Sequence, residues 1–353
     1  MIRLALIYGG ASSEHSVSCV TALGVYSAID KTKYEVIPIG ITQAGKFVLN
    51  PISPDWKLVD APVVQDGPEV FPALGGGAWK TAAGDDLGVI DIAFPVLHGP
   101  NGEDGSIQGL LQLCEVPYVG NGVLASAVAM EKSKAKALFQ NAGISVAEGL
   151  VITEKEFDLD PESFLASCEK HFQLPVFVKP SRSGSSVGVS KVKSFADLEA
   201  AIIDAFSHDN TVLVESAVVG REVECAVLEL PNGALKVSLA GEIVVTGREF
   251  YDYEAKYLDG GADLLVPTSL TAAELSQMHL LAQKAFRALG CSGLARTDFF
   301  LTDSGFVITE VNTMPGFTPI SMYPSLWQAT GISYPELVDT LIQTGLAQGT
   351  QPR

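Results

Sequence analysis

The stretch Pro175 to Val192, PVFVKPSRSGSSVGVSKV, decides how the rest of this chain is read. PVFVKP is a short β-branched and aromatic run ending in Lys-Pro, and VGVSKV alternates apolar and polar residues. Between them, SRSGSS holds only small or basic residues. The pattern predicts a β-hairpin whose connection is long enough to fold over a ligand. Successive amides in such a loop form an anion-binding concavity, so the loop suits phosphate. It also contains G-x-S-x-G at Gly184, Ser186 and Gly188, the spacing of a hydrolase nucleophile elbow. That device needs strand, sharp turn and helix, and here a strand follows. No G-x-x-x-x-G-K-[ST] occurs, so a Walker-type site is excluded.

Upstream of the hairpin the pattern is α/β. Arg3 to Tyr8 is a buried parallel strand entering a Gly-Gly turn and a helix to about Ile29. The turn lacks GxGxxG, which argues against a dinucleotide site. Glu14 sits at the start of that helix, where a carboxylate is either a dipole partner or a ligand-facing group. Strands follow at Tyr34 to Thr42 and Asp91 to Gly99, then a helix through Leu113. His98 ends the second of these, where open α/β sheets bind ligands. Residues 50 to 85, rich in Pro, Gly and Asp, read as an irregular insertion. In EKSKAKALFQNAG, Ala135, Leu138, Phe139 and Ala142 make an apolar helical stripe and Gly143 a stop. Lys132, Lys134 and Lys136 face mostly away from it, so each defaults to a solvated position. A strand (Gly149 to Thr153), a helix capped by Asp160 and Pro161, a helix from Ser194 to Phe206 and the strand Val212 to Ser216 frame the hairpin.

Downstream the strands lengthen. REVECAVLEL, a Pro-Asn-Gly turn and ALKVSLAGEIVV predict antiparallel sheet. Thr246 to Leu264 has no sustained period and reads as an Ω-loop or lid. Thr271 to Leu289 is a helix with a Thr271–Glu274 capping box, and another helix starts at Ser333. Between them, FFLT and FVITEV flank Asp303-Ser304-Gly305. Pairing symmetric about Ser304 sets Asp298 opposite Glu310, and period two puts Asn312 on the same face. Two carboxylates and an amide oxygen make a hard-oxygen site suited to Mg²⁺ with waters and phosphates.

The whole chain sets limits. Its 353 residues suggest two or three domains, and 47% apolar residues allow real cores. A formal charge of −18 argues against nucleic acid as partner. Five scattered cysteines without CxxC point to reduced thiols in a cytoplasm. No apolar run reaches membrane-span length, and the N-terminus reads as a first strand rather than a signal peptide.

Lys179 in VKP, GSSVG, Glu215 at a strand end, YDYEAKY, RTD and EVNTMPG, in that order, resemble the ATP-grasp ligases. With GGASSEHSVS and HGPNGEDG added, the pattern is similar to the D-alanine–D-alanine ligase family over Arg3 to about Leu346. The resemblance implies α/β and α+β architecture in three domains: 1–122, an N-terminal parallel α/β layer; 123–215, the central ATP-grasp part; and 216–353, with lid and metal site. It implies ATP-dependent joining of two D-alanines through D-alanyl phosphate, in a cytoplasmic homodimer. ATP would meet Lys132, Lys179, Ser186, Glu215, Val218, Glu222 and Lys256. Two Mg²⁺ (or Mn²⁺) would sit on Asp298, Glu310 and Asn312. Glu14 would pair with the first D-alanine's ammonium near His98, in a network with Ser185 and Tyr257. Arg296 and the Gly316 amide would form the oxyanion site, and Ser321 with the Met322 amide would hold the second carboxylate. A D-alanine–D-lactate (or other D-amino acid) ligase is the alternative on this scaffold, and Tyr257 speaks for D-alanine over D-lactate as second substrate.

Overall fold

The computed structural model describes residues 1–184, 186–245 and 262–353. Its N-terminal part runs β1 (Ile2–Gly9), α1 (His15–Ala28), β2 (Tyr34–Ile41), β3 (Phe47–Leu49), β4 (Val70–Pro72), β5 (Ala78–Thr81), β6 (Asp86–Val89), β7 (Ile92–Pro95) and α2 (Ser106–Leu113). One sheet has the order β3-β2-β1-β7, with β1 parallel to β2 and to β7. The unbroken apolar run of β1 follows from burial on both faces. Leu4, Leu6 and Tyr8 enter one core with Cys19, Ala22 and Val25 of α1, while Ala5 and Ile7 enter another with Ile107 and Leu111 of α2.

Residues 50 to 85 are more ordered than their composition suggested. β4, β5 and β6 form a small antiparallel sheet around the fully buried Trp79. Its strands are only three or four residues long, too short for a sequence period to register.

The middle of the chain contains α3 (Val123–Met130), α4 (Lys132–Asn141), β8 (Gly149–Thr153), α5 (Glu154–Leu159), α6 (Pro161–His171), β9 (Val176–Pro180), β10 (Ser190–Val192), α7 (Leu198–Phe206) and β11 (Thr211–Ser216). The sheet order is β10-β9-β11-β8, antiparallel throughout. The opening hairpin is therefore real, although β10 is shorter than VGVSKV. Alternation divides the faces: Val176 and Val178 of β9 and Val212 and Val214 of β11 enter a core with Leu198 and Ile202 of α7. Phe177, Lys179 and Glu215 take the opposite face. A capping box on Thr153 starts the short helix α5, which the sequence reading passed over. Ser194 caps a 3-10 turn, Phe195–Asp197, and α7 begins only after it.

The last part holds β12 (Arg221–Glu229), β13 (Leu235–Val237), β14 (Gly241–Val245), β15 (Ala262–Leu265), α8 (Ala272–Ala288), β16 (Leu294–Thr302), β17 (Gly305–Asn312), α9 (Met322–Thr330) and α10 (Tyr334–Gln348). The sheet order is β15-β14-β12-β16-β17. ALKVSLAGEIVV is two strands, both on the same edge of β12: β13 pairs Val227 to Glu229 and β14 pairs Glu222 to Glu224. Ala262 to Leu264 belong to β15, so the lid read from the sequence extends too far; its remainder, 246–261, lies outside the described residues. α8 covers one sheet face with Met278, Ala282 and Phe286. On the other face, Ala226 and Leu228 pack against Met322, Tyr323 and Trp327 of α9. α10 then returns to the first sheet, with Leu337, Leu341 and Ile342 in the core of Leu4 and Phe94.

Candidate active site

The second and third sheets enclose a cavity of about 420 Å³. Phe177, Val189, Val218, Phe300 and Val307 give it apolar walls, while Lys179, Glu215 and Glu222 add charge. A second cavity, about 380 Å³, lies between the first sheet and α9 and contains Glu14, His98, Glu103, Gly316, Ser321 and Met322. The two share Lys132, Ser183, Gly184, Glu224, Ile243, Arg296 and Glu310. That shared wall is the junction between the slot flanked by Phe177 and Phe300 and the second chamber.

The hairpin loop roofs the junction. Its root is fixed by Asp209, which accepts from the Arg182 amide at 2.7 Å and pairs with the guanidinium. Ser186 has φ +59° and Gly188 φ +71°. A Cβ on Gly188 would meet the His208 ring at 2.5 Å, so only glycine fits there. Lys132 Nζ donates to the Ser183 carbonyl at 2.6 Å, tying α4 to the loop. Ser186 connects strand to strand, as expected, and not strand to helix.

In the first cavity Glu215 is shared. Lys179 Nζ donates to its Oε2 at 2.9 Å, and Lys136 Nζ reaches Oε1. The sequence reading set Lys136 on a solvated face; it is 8% exposed. Ala135, Lys136 and Phe139 form the buried side of α4, while Leu138 is 37% exposed. The apolar stripe was misread because a buried ion pair takes the place of an aliphatic side chain. Burial disfavours the Glu215 carboxylate, yet the two ammonium groups hold its pKa below the ordinary value. Burial lowers the Lys136 pKa against the pull of Glu215, whereas at Lys179 the carboxylates of Glu215, Glu310 and Glu222 outweigh burial and raise it.

The acidic face is built across three strands. Glu224 pairs with Asp298 and Asp298 with Glu310; one step along, Ala226, Arg296 and Asn312 align. The Asp298–Glu310 pairing is as expected but arises differently. The turn has two residues, with Thr302 opposite Gly305, and a bulge at Thr309 restores the offset. A regular hairpin of that turn would put Asp298 opposite Thr309 and carry Glu310 toward the core. Arg296 donates to Asp298 Oδ1 at 2.8 Å and Oδ2 at 2.7 Å, and its Nε lies 3.0 Å from Glu224 Oε2. Asn312 Nδ2 donates to Asp298 Oδ2 at 2.9 Å. Burial opposes the guanidinium charge, but Asp298 and Glu224 hold its pKa well above the usual value. Glu224, 4% exposed, was not foreseen; its place opposite Asp298 became visible only with the register.

These donors fit divalent cations. Asp298, Glu310 and Asn312 offer hard oxygens at the junction. Lys132, Lys136, Lys179, Lys191 and Arg296 are equalled in number by Glu215, Glu222, Glu224, Asp298 and Glu310 around the cavity. A polyphosphate entering this balanced set must bring its own counter-charge. Among the described residues no three His, Cys, Asp or Glu side chains converge as a ready metal cage.

In the second cavity, Glu14 is the N-cap of α1 but makes no side-chain capping bond. Its carboxylate instead lies over Gly99, where an added Cβ would be 3.0 Å from Oε2. His98, 5% exposed, contacts Glu103 Oε1 at 3.4 Å through Nδ1 and Thr21 Oγ1 at 3.3 Å through Nε2. Burial lowers its pKa, but Glu103 and Glu14 more than offset this, leaving it raised. Glu103, in the quoted HGPNGEDG, is a further site residue the sequence reading did not single out. Ser321 caps α9 by position, yet its hydroxyl bonds Thr318 Oγ1 at 2.7 Å and accepts from the Thr318 amide. The start of α9 thus faces the chamber beside Gly316, as suits a carboxylate. Ser185, Lys256 and Tyr257 lie outside the described residues.

A cavity between two antiparallel sheets, roofed by a glycine-rich hairpin and opening on a second polar chamber, is the arrangement of an ATP-grasp ligase. The models of the D-ala D-ala ligase N-terminus and C-terminus match residues 3–121 and 138–343. The chain belongs to the D-alanine–D-alanine ligase family. It is 48% identical to the D-alanine–D-alanine ligase of Mycolicibacterium vanbaalenii, covering 99% of this chain and 98% of the relative. It is also 48% identical to that of Mycobacterium tuberculosis, over 99% and 96%. Among solved structures it resembles the VanG D-Ala:D-Ser ligase of Enterococcus faecalis (TM-score 0.86, 35% identity, 98% of this chain and 99% of that one). The Coxiella burnetii D-alanine–D-alanine ligase follows at TM-score 0.82 and 32% identity, over 98% and 94%.

Proposed function

We propose that this chain joins two D-alanines into D-alanyl-D-alanine at the expense of ATP, through D-alanyl phosphate, releasing ADP and phosphate for peptidoglycan precursor synthesis. The observation that carries the reading is the junction shared by the two cavities, with Lys132, Arg296 and Glu310 on both sides. A carboxylate is a poor electrophile, so it is first phosphorylated, and that transfer needs positioning and charge neutralisation rather than a protein nucleophile. Lys132 and Lys179 hold the phosphates. Glu215 and the backbone near Val218 take the adenine, Glu222 the ribose and Ser186 the loop side of the phosphates. Asp298, Glu310 and Asn312 would hold two Mg²⁺ (or Mn²⁺), which supply charge neutralisation when bound. Glu14 pairs with the first D-alanine's ammonium, with His98 beside it. Ser321 and the Met322 amide hold the second carboxylate. Arg296 and the Gly316 amide meet the oxyanion of the tetrahedral intermediate, where losing one donor costs about 3–4 kcal/mol of barrier. By the family pattern Lys256 approaches the phosphates, and Ser185 and Tyr257 join the Glu14 network.

We divide the chain at 1–122, 123–215 and 216–353 and expect a cytoplasmic homodimer. The free cysteines agree with a reducing compartment, and no described helix is long and apolar enough to cross a membrane. The test is ATP-dependent phosphate release over D-alanine, D-serine and D-lactate. Release with D-alanine alone, and a dipeptide product, is expected. Preference for D-lactate as second substrate, with an ester product, would overturn the assignment.

A further inference from the structure

The two lysines on Glu215 are not equivalent. The Lys136 side chain is 11% exposed and comes from α4, which Ala135 and Phe139 anchor in the core of the third sheet. The Lys179 side chain is 27% exposed and stands on the cavity face of β9, in the field of Glu310 and Glu222 as well as Glu215. Glu215 itself is 2% exposed. Both lysines line the cavity, and Lys136 is the less exposed of the two.

We propose that Lys136 is a positioning residue of the nucleotide site: the standing counter-ion that keeps Glu215 charged when Lys179 turns to the phosphates, and so makes the site selective for a 6-amino over a 6-oxo purine. The inference rests on the ATP reading above. A nearly buried carboxylate left without a partner is strongly disfavoured and regains stability by taking a proton. As a carboxylate, Glu215 only accepts hydrogen bonds, which matches a 6-amino donor and repels a 6-oxo acceptor. As a carboxylic acid it could donate to a 6-oxo group, and the preference would fall. Two lysines on one carboxylate solve this: Lys179 can leave without stranding the charge. Burial raises the Glu215 pKa, yet Lys179 and Lys136 together leave it lowered, while burial lowers that of Lys136, as a carboxylate held charged by its ammonium partners requires.

The experiment is calorimetric titration of ATP and of inosine triphosphate into the full chain with Mg²⁺, comparing wild type, Lys136→Met, Glu215→Gln and the double variant. Lys136→Met should raise the ATP Kd about tenfold or more. It should also lower the ratio of inosine triphosphate Kd to ATP Kd, and it should add nothing once Glu215 is Gln. Damage to the fold alone would weaken both nucleotides together and leave the ratio unchanged, which would overturn the proposal. Unchanged ATP affinity, or an equal further loss in the Glu215→Gln background, would also overturn it. If Lys136→Met does not fold, the double variant decides, because it removes both buried charges: ATP affinity equal to that of Glu215→Gln supports the proposal and a further loss refutes it. D-alanine-dependent phosphate release by the wild type is the control. Its absence sinks the ligase reading, whereas its presence with unaltered nucleotide binding in the variants sinks only this inference.

Discussion

Glu215 and Glu310 are carboxylates of one cavity, carried by different sheets and with different duties. Glu215 is paired and buried, so it is part of the fold as well as of the site. Its pKa is depressed below the ordinary 4.5. A depressed carboxyl contributes stability that is present above pH 4.5 and lost as pH falls through the folded value. Glu215→Gln should therefore cost about 3 kcal/mol or more near neutral pH, by leaving Lys136 buried without its anion. The gap in Tm between variant and wild type should narrow as thermal melts are taken below pH 4.5. A gap that widens toward acid would mean that Glu215 is not ionised in the fold. Glu310 lies at the junction beside Asp298, where removing one charge takes away a candidate cation ligand. Glu310→Gln should lower kcat about 100-fold or more and raise the Mg²⁺ concentration needed for half-maximal rate. Wild-type turnover at ordinary Mg²⁺ would remove Glu310 from the metal set.

At the scale of elements, the hairpin loop shows how much of the site was legible. Its two strands and its glycines could be read directly, since period two and turn residues are local signals. What each glycine does could not. Gly184 has nothing within 4 Å of an added Cβ, whereas Gly188 has φ +71° and abuts Pro180 and His208. Gly188→Ala should destabilise by about 1–3 kcal/mol through backbone strain and should weaken ATP binding. Gly184→Ala should leave Tm almost unchanged. Equal Tm values for the two variants would show that the loop root is not held as described. The acidic hairpin teaches the converse. Asp298 and Glu310 were paired correctly from a three-residue turn, while the chain uses two turn residues and a bulge at Thr309 that add to the same offset. A bulge leaves no mark in the alternation of FVITEV that a propensity can detect. Lys136 stayed hidden for a related reason: α4 presents it to Glu215, 79 positions later in the sequence, and only tertiary contact turns a surface lysine into a core one.

The whole molecule is closed by its last helices. One core unites Leu4, Leu6 and Phe94 of the first sheet, Ala226 and Leu228 of the third, Trp327 of α9 and Leu341 of α10. Tyr34 donates to Asp339 at 2.7 Å and accepts from Gln343 at 2.7 Å, tying β2 to α10. One chamber is therefore lined by Glu14 and His98 from the start of the chain and by Arg296 and Ser321 from its last part. This matters chemically, because an acyl phosphate must be held away from water until the amine arrives, and a chamber whose two sides melted separately would leak. The sequence showed the strands and helices of this arrangement, but not that residues near the start and the end make one core, since no local pattern records which distant apolar faces meet. Trp327, fully buried at the centre of that core, offers the test. Trp327→Ala should cost about 3–5 kcal/mol, the range for removing a large aromatic from a packed interior. Because the core spans the first and third sheets, calorimetry should show one endotherm moved to lower temperature, with the heat signal of both sheets moving together. Two endotherms, only one displaced, would mean that the first sheet is stable without α9 and α10, and that the chamber's two sides are held together by substrate rather than by the fold.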